Sequence, residues 1–106
     1  MNKNYKIAII GLGYVGLPLA LEFSKKYQVI GFDINKDRVN DLRENIDFNL
    51  DVNIKKTDKL QYTYYPEDIK DANIYIITVP TPVTDANIPD LETLKSATRL
   101  VSAYVN

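Results

Sequence analysis

The residues that could do chemistry fall in three places. The first is Gly11-Leu12-Gly13-Tyr14-Val15-Gly16, which fits the spacing G-x-G-x-x-G. Glycines at that spacing suit a loop that wraps a pyrophosphate with backbone amides. Gly11 permits the tight turn out of a strand, Gly13 lets a phosphate approach, and Gly16 lets a helix pack closely. No Lys or Arg lies in the loop, so backbone groups would do the binding. No G-K-[ST] follows, which argues against a triphosphate loop. The second place is Asp33, 22 positions after Gly11. That is near the spacing of ~20 at which an acid accepts ribose hydroxyls. Its carboxylate would repel a 2′-phosphate, which favours NAD over NADP. Arg38 stands five residues further on and could lie over the adenine or reach Asp33. It could also help a 2′-phosphate, so NADP keeps some room. The third place is Val79-Pro80-Thr81-Pro82, at the end of an apolar run. Some atom of Val79, Pro80 or Thr81 is expected to touch the cofactor there, near its pyrophosphate and nicotinamide ribose.

Each reading has a plainer rival. The three glycines could serve turn and packing alone. Asp33 could be a solvated strand-end carboxylate or a helix cap, and Arg38 a surface charge. Pro80 and Pro82 could simply stiffen a loop. Tyr62, Tyr64 and Tyr65 could stack on bases, but no basic patch accompanies them, so strand and loop packing is the expectation. Asp85, Asp90 and Glu92 read as loop and cap residues.

The elements around these residues follow from hydrophobic spacing. Tyr5–Ile10 is a short apolar run without alternation, as in a strand buried on both faces. Leu17–Lys26 reads as a helix, with Pro18 near its start and Lys25 and Lys26 in its last turn. Gln28–Asp33 is a second strand, and Asn35 caps a helix through about Glu44. Asp47–Lys59 reads as loop, Leu60–Tyr64 as a brief strand and Pro66–Ile69 as one helical turn. Ile74–Val79 is a central strand, ended by prolines that cannot continue a ladder. After a polar loop over Thr84–Pro89, Asp90 caps a final helix with Leu91, Leu94, Ala97, Val101 and Tyr104 at helical spacing. Alternation of this kind predicts a three-layer α/β/α arrangement. The expected sheet is Rossmann-like, doubly wound and parallel, with strand order 3-2-1-4. It is partial, because a complete sheet of this type would add further strands.

Composition limits the chemistry further. The 106 residues suit a single domain over 1–106. There is no Cys and no His, so a thiol nucleophile, a thiol-ligated metal and an imidazole base are all missing from the chain. A net charge of −1 gives no reason to expect nucleic acid or an anionic membrane as partner. No apolar stretch approaches the ~20 residues a membrane span needs. The cytoplasm is the expected location.

Taken together, these residues resemble a known family. Lys6–Ala20, KIAIIGLGYVGLPLA, is similar to the start of UDP-glucose/GDP-mannose-type nucleotide-sugar dehydrogenases. Gly31-Phe32-Asp33-Ile34-Asn35 with Arg38-Val39 resembles the family's ribose-binding strand end. Asp71–Pro82, DANIYIITVPTP, and Asn87–Leu91, NIPDL, resemble its fourth strand and next helix. Asp47–Val52 and Val79–Asp90 lean toward the branch that oxidises UDP-N-acetylhexosamines for bacterial surface polysaccharides. The stretch Asn53–Lys59 is shorter than the family pattern. The resemblance implies NAD-dependent oxidation at C6 of a nucleotide sugar to the uronic acid, in a homo-oligomeric parent enzyme. By matched position Gly11 to Gly16, Asp33, Arg38 and Thr81 would bind NAD. The family's catalytic cysteine, with its lysine and acidic helpers, and its sugar-nucleotide domain have no counterpart here. The expectation is therefore the front portion of a longer enzyme, inactive alone, with the UDP-sugar bound only by the whole. Two alternatives stay open. One is the first half of a β-hydroxyacid dehydrogenase, although a methionine is common there where this chain has Val15. The other is a regulatory domain that senses NAD or AMP without chemistry.

Overall fold

A computed structural model of the chain describes residues 5–44, 59–79 and 91–104. Lys6–Ile10 forms strand β1, followed by helix α1 over Gly16–Ser24. Gln28–Phe32 forms β2, and Lys36–Arg43 forms α2. Leu60–Thr63 is β3, Pro66–Ile69 a single 3₁₀ turn, Ile74–Ile77 β4, and Glu92–Ser102 α3. The strands form one parallel sheet in the order β3-β2-β1-β4. This is the expected order.

β1 sits between β2 and β4, and that explains its composition. Ile7 and Ile9 face one layer with Leu17, Ala20, Val29 and Leu42, so α1 and α2 cover that side. Ala8 and Ile10 face the other with Ile30, Phe32, Ile69, Ala97 and Val101, so α3 and the 3₁₀ turn cover it. A strand buried on both faces has no polar side to show, hence its unbroken apolar run. Each large side chain buried this way contributes roughly 1.5–3 kcal/mol.

Several local expectations are met and others shift. Asn35 caps α2: its side-chain oxygen accepts from the Arg38 amide at 3.1 Å. Pro66 opens the 3₁₀ turn, where a missing N–H costs nothing. Lys25 and Lys26 fall after α1 rather than in its last turn, because the helix ends at Ser24. The N-cap position of α3 is Leu91, which is exposed and has no capping side chain. Asp90, expected as that cap, lies outside the described residues, as do the loops over 47–58 and Thr84–Pro89. Tyr62 packs against the core on the α1 side. The Tyr64 ring lies 4.7 Å from that of Tyr65, with Lys36 and Arg43 over its face. Among the described residues no helix is long and apolar enough to cross a membrane.

Candidate functional site

All four strands are parallel, so their carboxyl ends share one edge of the sheet. The chain leaves β1 toward β2 on one side, and β4 lies on the other. A crevice opens at such a point of reversal, and ligands of open α/β sheets bind there. Here a cleft of about 620 Å³ lies against Gly11, Leu12, Gly13, Asp33, Arg38 and Val79. Its far wall comes from α3, through Thr93, Ser96, Ala97 and Leu100.

Gly11 takes the turn out of β1 with a φ of +104°, a region that L side chains rarely enter. Its amide donates to the Phe32 carbonyl at 2.8 Å, so the turn stays tied to β2. Gly16 solves a different problem. A Cβ at that position would collide with the Gly11 carbonyl and come within 2.5 Å of the Thr78 hydroxyl. The first residue of α1 can therefore pass under the loop only as glycine. Gly13 has nothing within 4 Å of where its Cβ would stand. Its open side is room for a ligand rather than a packing contact.

The start of α1 is chemically bare. No side chain caps it and its first turn holds no acid, whereas α2 has both the Asn35 cap and Asp37. The helix bonds begin with Leu17, whose amide donates to Gly13 O at 3.2 Å. Amides ahead of it have no carbonyl one turn back, and the helix dipole adds partial positive charge there. This is a donor set for an anion. Tyr14 and Val15 stand beside it, 75% and 61% exposed, and outside the cleft lining.

Asp33 is held by backbone on both oxygens. Oδ2 accepts from the Leu12 amide and Oδ1 from the Asn35 amide, each at 2.9 Å. An ionised carboxylate has about four lone-pair sites, so two such bonds leave acceptor capacity for a pair of hydroxyls. Arg38 does not reach out from the surface. Its Nε donates to Leu12 O at 2.8 Å. Leu12 itself is fully buried, with its side chain in the core on the α1 side.

Thr78 is the residue that sequence reasoning passes over. Its hydroxyl donates to Gly11 O at 2.7 Å and lies 3.2 Å from Ile10 O. The signal was a lone polar residue at the end of β4, masked by the prolines after it. Thr93 and Ser96 were also unmarked, because helical spacing singles out only the apolar side of α3. Pro80 and Thr81 lie outside the described residues.

The cleft, the open side of Gly13 and the acceptor at Asp33 suit a dinucleotide with two phosphates and a free ribose diol. Comparison with known proteins agrees. The chain is 49% identical over 104 residues to a UDP-N-acetyl-D-glucosamine 6-dehydrogenase of Salmonella typhi, covering 95% of this chain and 24% of that protein. It is 45% identical over 102 residues to one from Pseudomonas aeruginosa, covering 93% and 24%. A solved UDP-D-ManNAc dehydrogenase from Pyrococcus horikoshii superposes with a TM-score of 0.88 at 33% identity, covering 95% of this chain and 26% of that one. The chain thus spans about a quarter of the length of the relatives it matches. Residues 5–106 match the UDP-glucose/GDP-mannose dehydrogenase family, NAD binding domain. The β-hydroxyacid alternative is thereby set aside, and the chain belongs to the NAD-binding domain of the UDP-glucose/GDP-mannose dehydrogenase family.

Proposed function

We propose that this chain is the cofactor-binding part of a nucleotide-sugar 6-dehydrogenase that takes a UDP-N-acetylhexosamine to its uronic acid. Bound NAD supplies the oxidising power in such a reaction. The chain's own residues bind and orient it. The amides of Gly13, Tyr14, Val15 and Gly16 take the pyrophosphate, while Gly11 and Leu12, whose amides are bonded to Phe32 O and Asp33, shape the loop around it, and Asp33 takes the adenosine ribose. Arg38, Val79, Pro80 and Thr81 complete the cradle. Substrate-handling groups, including a thiol, are supplied by other parts of the enzyme, since no Cys occurs here. The enzyme is proposed to be cytoplasmic and homo-oligomeric, and the chain inactive alone.

The observation that carries this reading is the Asp33 carboxylate, fixed by two amides at the end of β2 beside the phosphate loop. Calorimetry with NAD and NADP tests it. The chain should bind NAD, and NADP at least about tenfold more weakly, because a charged group makes hydrogen bonds of roughly 1.5–3 kcal/mol and here also repels a phosphate. Asp33→Ala should weaken NAD by a similar factor. Equal affinity for the two nucleotides, or an unchanged Asp33→Ala, refutes the assignment. Oxidation of a UDP-sugar by the chain alone refutes its proposed inactivity.

A further inference from the structure

Two successive peptide units of the phosphate loop are gripped by side chains. The Gly11–Leu12 unit is held at its oxygen by Thr78 and at its N–H by Asp33. The Leu12–Gly13 unit is held at its oxygen by Arg38 Nε, at 2.8 Å. Asn35 ties the two charged residues together: its amide donates to Asp33 Oδ1 and its Oδ1 accepts from the Arg38 amide. The result is a closed ring of hydrogen bonds running Asp33, Leu12, Arg38, Asn35 and back to Asp33.

The Leu12–Gly13 unit matters most for a ligand. A trans peptide is planar, with its C=O and the following N–H pointing in opposite directions, and there are no cis peptides among the described residues. A guanidinium on the Leu12 oxygen therefore sets where the Gly13 N–H points. It also draws electron density through the peptide, which makes that N–H a stronger donor. The fully buried Leu12 side chain prevents the unit from turning away.

We propose that Arg38, besides bordering the cleft, is a positioning residue for the pyrophosphate, acting through the Leu12–Gly13 peptide. This rests on the dinucleotide reading above and adds a division of labour. Asp33 recognises the ribose directly, and Arg38 tunes the phosphate-binding amide of Gly13 through the carbonyl of the same peptide. It also explains why an arginine beside a ribose-reading acid need not favour a 2′-phosphate: its Nε is turned back onto the loop.

The test separates phosphate from nucleoside. ADP binding is measured by calorimetry and adenosine binding by amide-shift titration, in the full chain and in Arg38→Met and Arg38→Lys. Loss of a charged hydrogen bond predicts ADP weakened about ten- to hundredfold in Arg38→Met, with adenosine weakened by a clearly smaller factor. Arg38→Lys should recover part of the loss, since it keeps the charge but not the planar donor. Equal weakening of both ligands means that Arg38 acts by adenosine contact alone and overturns the proposal; so does no change in either. An unmodified chain that binds neither ligand overturns the dinucleotide reading and this proposal with it. An unmodified chain that binds ADP confines any failure to Arg38. Should Arg38→Met not fold, hydrogen exchange of the Arg38 Nε–H in the unmodified chain decides. Strong protection, retained with ADP bound, supports the proposal, and exchange at the solvent rate overturns it.

Discussion

The Thr78 hydroxyl donates a 2.7 Å hydrogen bond to the Gly11 carbonyl, joining the end of β4 to the loop that leaves β1. The same hydroxyl stands where a side chain on Gly16 would otherwise intrude. One small polar group thus fixes the turn after β1, bonds its carbonyl and borders the channel through which α1 enters. Because Gly11 O and the Leu12 N–H belong to one peptide, Thr78 and Asp33 hold that unit from opposite ends.

Thr78→Val keeps the shape of this side chain and removes its hydroxyl. Ile10 O retains a partner in the Thr78 amide, at 2.8 Å, but Gly11 O loses its side-chain donor. A partly buried acceptor left without a partner costs about 1–3 kcal/mol. The midpoint of urea unfolding should fall accordingly, and NAD affinity should fall with it. A variant as stable as the original would show that the bond does not anchor the loop.

Gly16 and Gly13 should behave oppositely when changed to alanine. At Gly16 the added methyl meets backbone, which cannot rotate aside. Overpacking alone costs roughly 1–3 kcal/mol, and a clash with main chain belongs at or above the top of that range. Gly16→Ala is expected to unfold or nearly unfold the chain. At Gly13 the methyl enters open space and the backbone has no positive φ, so stability should change by less than about 1 kcal/mol. Gly13→Ala should instead weaken NAD binding, because the methyl occupies the ligand's side of the loop. Thermal melts and calorimetry on both variants distinguish the roles. Two variants that lose stability equally would contradict the separation.

These contrasts also show what a sequence discloses. The strand order and the Asn35 cap follow from period and residue type, since both express local physics that tertiary contacts here reinforce. The glycine spacing predicts a close helix approach at Gly16, and the colliding group proves to be the Gly11 carbonyl. The spacing marks Leu12 only as part of a binding loop, yet its side chain is core and its backbone is held by Asp33 and Arg38. A pattern of letters does not separate side chain from main chain. Thr78 and Arg38 were opaque for another reason. Their partners, Gly11 and Leu12, lie 67 and 26 positions away, and only the parallel sheet brings them together.

Tyr75 offers a prediction about pH. Its hydroxyl donates to Ile69 O at 2.8 Å, linking β4 to the end of the 3₁₀ turn. Burial raises its pKa above the ordinary tyrosine value near 10, and the negative charge of Asp71 raises it further. In the folded chain the phenol therefore keeps its proton at a pH where the unfolded chain has begun to lose it. The unfolded state binds fewer protons in that window, so stability falls as pH rises. The contribution is complete below about pH 10 and is lost as pH climbs through the raised folded value. Tyr75→Phe removes the bond and should cost about 1 kcal/mol at neutral pH. It should also remove this part of the alkaline loss, so the two proteins converge in stability as pH rises. Urea midpoints for both, measured near neutrality and again above pH 10, check the claim. A gap that stays constant across that range would mean that Tyr75 ionises alike in the folded and unfolded chains.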